Sequence, residues 1–219
     1  MFTLAEENYV KNIFHLQQLS PEGVSTNAIA EKLDTKPSSA TDMVQKLAEK
    51  KVLTYVKYKG ATLTEEGRII AAGIIRKHRL WEVFLVEKLH FQWDEVHEIA
   101  EQLEHIQSEA LIDRLEAFLG YPSVDPHGDP IPDKTGNFKK TEKKLLSKLR
   151  EGQKGICVGV KESSSDFLQY LDKRGIAIGT EIVILEKDAF DDSMTISIGQ
   201  SQHFITKKIS ENLYMQTVD

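Results

Sequence analysis

The chain is 219 residues long and 40% apolar, enough for one large domain or two to three small ones, each with its own core. Lys+Arg 28 against Asp+Glu 34 gives a formal net charge of −6, which excludes a uniformly basic nucleic-acid coat while leaving room for a local basic face. No apolar run approaches the roughly 18 residues of a membrane span and the start is acidic, so a cytoplasmic protein without membrane association is expected. The lone Cys157 allows no intramolecular disulfide and no multi-cysteine zinc site, so any metal site must use nitrogen and oxygen.

A first helix is predicted from about Ala5 to Leu19, where Tyr9, Ile13, Phe14 and Leu16 recur at helical spacing before Ser20-Pro21-Glu22-Gly23 breaks the pattern. Ser25 then caps a short helix with Ile29, Ala30 and Leu33 inward, a turn follows at Asp34-Thr35-Lys36, and Pro37 opens a third helix carrying Ala40, Met43, Val44 and Leu47. Two short helices joined by a turn form a helix-turn-helix, and the alternating stretch Val52 to Thr64 around Gly60 predicts a hairpin that serves as its wing. Thr64-Glu65-Glu66 opens a long helix to about Leu89, Asp94 caps another through Val96, Ala100, Leu103 and Ile106, and Ser108 precedes a helix from Glu109 to Leu119 that Gly120 ends. Tyr121 to Pro132 holds four of the six prolines and reads as a connector. A helical piece around Thr141 to Leu149 precedes short strands at 155–160, 179–185, 194–198 and 204–209, the pattern of a small β-barrel, and Glu211 to Gln216 continues it as native strand. The fold class is thus mainly α with a smaller β part, in three domains at 1–64, 65–140 and 141–219.

Charge is segregated. Lys36 to Gly60 holds six lysines against Asp42 and Glu49, a sum of +4, whereas Glu87 to Leu119 holds nine acids against Lys88 and Arg114, a sum of −7. A helix entering a major groove needs small polar residues on its first turn and cations beside it. Pro37, Ser38, Ser39, Thr41 and Asp42 lie on that turn, and Lys36, Lys46, Lys57 and Lys59 supply the cations, although Asp42 opposes a purely attractive surface. The alternative is a winged-helix fold used for protein contacts, with the lysines as a solvated face. In the acidic segment, His97, Glu101, Glu104 and His105 stand at offsets 0, 4, 7 and 8 along one helical stripe, and His78 and Glu82 repeat the idea one helix earlier. Carboxylates and imidazoles are donors for Mn²⁺, Fe²⁺, Co²⁺ and Zn²⁺. A solvated acidic helix is the alternative. Trp81 and Trp93 are expected to pack the core or an interface, Cys157 to be a small core residue, and His15 and His90 to lie on the surface.

Met-Phe-Thr-Leu-Ala-Glu-Glu-Asn-Tyr9, Pro37-Ser-Ser-Ala-Thr-x-Met-Val-Gln-Lys-Leu47, Leu63-Thr-x-x-Gly-Arg68, Arg76-Lys-His-Arg-Leu80, Glu101-x-x-Glu104-His105 and Gly128-Asp-Pro-Ile-Pro132 occur in this order. Together they resemble the diphtheria-toxin-repressor family of metal-dependent transcriptional regulators, which includes the manganese transport regulators. The tail is similar to the SH3-like, FeoA-type third domain of its longer members. The resemblance implies a homodimer that binds a palindromic operator in double-stranded DNA when loaded with Mn²⁺ or Fe²⁺ and represses metal-uptake genes, with Zn²⁺ or Co²⁺ as substitutes in vitro and no small organic substrate. It implies a primary metal site of Glu101, Glu104, His105 and Asn8, and an ancillary site of His78, Glu82 and His97, with Asp125, His127 and Asp166 as further candidates. A carboxylate at Glu101, where iron-responsive members have a cysteine, favours Mn²⁺. Asn8 matches neither subfamily, Lys11 stands where manganese regulators have a second first-helix carboxylate, and the family's third-domain acid falls near Ser163. A helical metalloenzyme is the weakest alternative, because paired Glu-x-x-His motifs, His-Glu-x-x-His, a nucleophile elbow and a P-loop are all missing.

Overall fold

The structure, a computed structural model, describes residues 2–139 and 141–217; Met1, Lys140, Val218 and Asp219, which the motif and domain readings include, lie outside the described residues. Two compact units result, one of residues 1–79, 101–112 and 132–138, the other of residues 80–100, 113–131 and 139–219.

In the first unit α1 spans Leu4–Leu19, α2 Thr26–Lys32 and α3 Pro37–Glu49. Thr3 and Glu6 cap α1 reciprocally, the Thr3 hydroxyl accepting from the Glu6 N–H while the Glu6 carboxylate accepts from the Thr3 N–H, and Ser25 caps α2 through the Ala28 N–H. α3 opens on Pro37, whose missing N–H costs nothing at that position. β1 (Leu53–Val56) and β2 (Gly60–Leu63) form an antiparallel hairpin, and Val24 bridges Ala61 to tie the α1–α2 loop to the wing. At that join Gly60 adopts φ +97°, and a side chain there would stand 2.5 Å from the Val24 carbonyl oxygen. Val10, Ile13, Ile29, Val44, Leu47, Val52 and Ala61 fill the core beneath.

Glu6 also fastens α1 to α3. Its carboxylate is fully buried and lies 2.7 Å from the Lys50 ammonium and 3.1 Å from that of Lys46. The Lys50 hydrogen bond, then the Thr3 N–H, outweigh burial and hold its pKa at about 2.

α4 runs unbroken from Glu65 to Leu89, with the Thr64 hydroxyl accepting from the Gly67 N–H. α5 covers His97–Leu103 and α6 Glu109–Phe118, the latter capped by Ser108 and followed by Gly120 at φ +74°. The second unit contains a six-stranded antiparallel sheet of β3 (Lys144–Leu145), β4 (Lys154–Val160), β5 (Glu181–Lys187), β6 (Met194–Ile198), β7 (Ser201–Ile205) and β8 (Leu213–Thr217) in the order β3-β8-β4-β5-β6-β7. Leu146, Leu168, Leu171, Ile182, Ile184, Ile196 and Met215 form its core, and Cys157 is buried there as a free thiol.

Three local expectations change and one helix is new. The helix expected after Asp94 begins only at His97 and stops at Leu103, and the Asp94 carboxylate accepts hydrogen bonds from Ser165 (3.0 Å) and Gln169 (2.7 Å) instead of capping it. The helix expected at 141–149 is strand β3 and a 3₁₀ turn, since Leu145 pairs with Tyr214 while Leu146 enters the core. The strand expected at 204–209 ends at Ile205 and becomes the short helix α8 (Lys207–Ser210). The helix α7 (Ser165–Asp172), unread in the sequence, buries Phe167, Leu168 and Leu171. No helix of the described residues is long and apolar enough to cross a membrane.

A depressed carboxylate pKa contributes stability above the unfolded-state value, and that stability is lost as pH falls toward the folded-state value. Urea unfolding should therefore show the wild-type chain losing stability relative to Glu6→Gln as pH drops from about 4.5 toward 2, with the variant about 1–3 kcal/mol less stable at pH 7.

Candidate metal centres and nucleic-acid interface

The first-unit cluster grows from the spacing of α1. Glu7 and Lys11 lie one turn apart on it, both buried. Lys11 Nζ is 2.6 Å from Glu104 Oε1 and 3.3 Å from Glu101 Oε1. Glu7 Oε2 meets His105 Nδ1 at 2.6 Å, and Glu7 Oε1 accepts from the Gln107 amide at 2.8 Å. α1 thus offers an acid to a base and a base to two acids. The second oxygen of Glu104 is 2.6 Å from His78 Nδ1. Burial pushes the Glu104 carboxyl up, but the His78 hydrogen bond and the Lys11 charge outweigh it and hold it below the usual range.

The structure therefore brings Glu101, Glu104 and His105 together, but around an ammonium group. Asn8, half-buried one residue from Glu7, gives its backbone carbonyl to Asn12. A divalent ion about 4 Å from Lys11 would be repelled by about 8 kcal/mol at an effective dielectric of about 20, so with Lys11 in place this donor set does not fit a metal. Glu7 and the pairing role of Lys11 are what sequence reasoning missed; their signal is the i, i+4 spacing of opposite charges on a helix face that is otherwise apolar.

A different group forms in the second unit, on α4 and the Pro-rich connector. Glu82, Asp125 and His127, all buried, offer ligand atoms that lie within 4.8 Å of one another. The Asp125 carboxylate accepts the His127 and Asp129 N–H groups at 2.8 and 3.0 Å, and a Gly128 at φ +83° completes the turn. His127 stacks on Trp93 at 6.1 Å between ring centroids, bonds the Trp93 carbonyl through Nε2 at 2.8 Å and directs Nδ1 to Glu82 at 3.7 Å. Burial would lower its pKa, but Glu82 above all, then Asp125 and the Trp93 carbonyl, raise it to about 9. His97, exposed at the start of α5, is 3.5 Å from the other Glu82 oxygen. Two carboxylates and imidazole, with no thiolate, are donors that accommodate Mn²⁺, Fe²⁺ or Zn²⁺, so these residues fit a metal. His78 sits one turn before Glu82 on the same helix. Asp166, exposed in the first turn of α7, is not part of this group among the described residues.

Of the residues expected at a nucleic-acid interface, Lys36, Pro37, Ser38, Ser39 and Asp42 are exposed on the first turns of α3, and the Thr41 hydroxyl is turned back onto the Pro37 carbonyl at 2.8 Å. Lys57 and Lys59 are exposed on the wing beside Tyr58, whose ring the Lys57 ammonium overlies at 5.2 Å. Lys46, half-exposed, shares its charge with Glu6. The face is cationic and small-featured where a groove-entering helix must be.

Residues 1–61 match the model of the iron-dependent repressor N-terminal DNA-binding domain, residues 64–133 that of the iron-dependent repressor metal-binding and dimerisation domain, and residues 144–216 that of the FeoA domain. The iron-dependent repressor IdeR of Mycobacterium tuberculosis is 36% identical over 128 residues, 58% of this chain and 54% of that protein, so the match spans about half the length of this relative. The transcriptional regulator MntR of Oceanobacillus iheyensis is 37% identical over 121 residues, 55% of this chain and 81% of that protein. Among solved structures, a manganese-dependent transcriptional repressor in complex with manganese superposes with a TM-score of 0.85 at 31% identity over 97% of this chain and 100% of the other, and ScaR with bound Cd²⁺ with 0.79 at 30% identity over 97% and 99%.

Removing one partner of a buried ion pair strands the other charge. Glu104→Ala should cost about 3 kcal/mol of stability in metal-free chemical denaturation at pH 7, whereas Glu101→Ala, whose side chain is 49% exposed, should cost less than about 1 kcal/mol.

Proposed function

The chain belongs to the family of metal-dependent transcriptional repressors, and on that premise we propose that it is a cytoplasmic homodimer that binds a palindromic operator in response to Mn²⁺, with Fe²⁺ as the alternative activator, and represses metal-uptake genes. The observation that carries this reading is the buried meeting of Glu82, Asp125 and His127 beside His97 in a chain whose N-terminal domain is of a DNA-binding type. Glu82, Asp125 and His127 would hold the ion, with His97 at the start of α5 as a further donor. When bound, the ion would supply a cross-link between carboxylates of α4 and the connector. The thiolate-free donor set favours Mn²⁺ over softer metals.

The chain's own residues do the rest. Trp93 fixes the imidazole plane of His127 by stacking and by its carbonyl, and the Asp125 turn presents the carboxylate beside it. Glu82 and His97 link α4 to α5, so the spacing of those helices answers to what occupies the cluster. In a two-fold homodimer two α3 helices would read half-sites about one helical turn of DNA apart, with Ser38 and Ser39 at base edges and phosphates and Lys36, Lys46, Lys57 and Lys59 on the backbone. A ligand that favours the DNA-competent arrangement must in turn be held more tightly on DNA.

Operator selection at one fixed salt concentration with chelator, Mn²⁺, anaerobic Fe²⁺ or Zn²⁺ tests the reading. A palindrome should emerge with Mn²⁺ and bind at least about tenfold more weakly in chelator, within the usual range of coupling, and Glu82→Gln should remove the difference. Equal binding in chelator would replace this reading with a metal-independent winged-helix adaptor. Lys36→Ala should weaken binding to all sequences alike and lower the salt slope by about 1.

A further inference from the structure

We propose that the Lys11 ammonium is the resident cation of the Glu101–Glu104 cluster, so that α1 is clamped to the α5 segment without a divalent ion and metal enters the chain only at the Glu82 cluster. The second half rests on the metal-dependent reading above; the first stands on geometry alone.

A buried carboxylate such as that of Glu104 requires a compensating positive charge. Here that charge is built into the chain. Lys11 is buried, and its ammonium lies 2.6 Å from Glu104 and 3.3 Å from Glu101. An ammonium carries three donors and no acceptor, so it cannot itself coordinate a metal, and it occupies the position from which a metal would have to bridge the two carboxylates. Two further ligating atoms are engaged as well. Glu104 Oε2 is held by His78, and His105 Nδ1 by Glu7, which also takes the Gln107 amide. Both rungs of this ladder leave α1 from the same face, Glu7 and Lys11 one turn apart, which closes α1 on the turn after α5 by charge complementarity alone. By contrast, Glu82 meets imidazoles, His97 at 3.5 Å and His127 at 3.7 Å, groups that can themselves ligate a metal, and Asp125 offers a further carboxylate oxygen within reach of Glu82 and His127.

The test is Mn²⁺ stoichiometry on the purified full chain by equilibrium dialysis with metal analysis, for the wild type, Glu104→Gln, Glu82→Gln and Lys11→Gln. The proposal expects one ion per chain in the wild type, one in Glu104→Gln, less than about 0.1 in Glu82→Gln and two in Lys11→Gln. Two ions in the wild type, or one that Glu104→Gln abolishes and Glu82→Gln retains, would overturn it. Hydrogen exchange on the wild type covers the case in which Lys11→Gln does not fold. Amides of α1 from Glu7 to Lys11 should be equally protected, within about twofold, in chelator and in Mn²⁺; a tenfold gain of protection on adding Mn²⁺ would overturn the clamp. Absence of any bound ion with α1 protected in chelator would uphold the Lys11 assignment and overturn the metal-dependent reading, so the two fail separately.

Discussion

The contact between the Lys11 ammonium and the buried Glu104 carboxylate at 2.6 Å is the constraint around which the first unit is organised. Neither charge is tolerable alone in a site from which water is excluded, and together they oblige α1 to lie where the residues following α5 can reach it. His78 satisfies the remaining Glu104 oxygen, so α4 joins the same network, and Glu7 with His105 repeats the pairing one turn earlier on α1. At the acidic end of α1, Glu6 makes the corresponding link to α3 through Lys46 and Lys50. One helix thereby connects α3 to the segment after α5 through ion pairs in which Glu6 and Glu104 are fully buried, each of which holds only while its partner stays in place.

The two clusters of His, Glu and Asp differ in the kind of positive charge beside them. In the first, the cation is covalently part of α1. In the second, it is an imidazole, a group that carries a proton or ligates a metal through the same nitrogen. The Trp93 stack and carbonyl hold the His127 ring in one orientation, and the Asp125 turn is rigid by its own backbone hydrogen bonds, so the donors around Glu82 are preorganised. Residue types alone would rank the clusters the other way, since Glu101-x-x-Glu104-His105 is the more conspicuous pattern.

The helix-turn-helix, the wing and the long α4 were legible because each depends on nearby residues: Ser25 and Thr64 as caps, Pro37 at a helix start, alternation around Gly60. The helix expected at 141–149 became a strand because Leu145 pairs with Tyr214, about seventy positions away, and Asp94 failed to cap because residues of α7 claim its carboxylate. A short apolar run serves helix and strand equally, and the partner that decides is distant in sequence.

For the sites, the sequence by itself determined which donors exist, their order along the chain and the absence of thiolates other than Cys157, and hence the hard-donor chemistry and the three-part domain order. Only the tertiary structure decided which donors share a space. Lys11 and Glu104 are 93 positions apart and Glu82 and His127 are 45, and the pairing of charges across such separations follows from how helices pack and which groups lose water, neither of which is written in local periodicity.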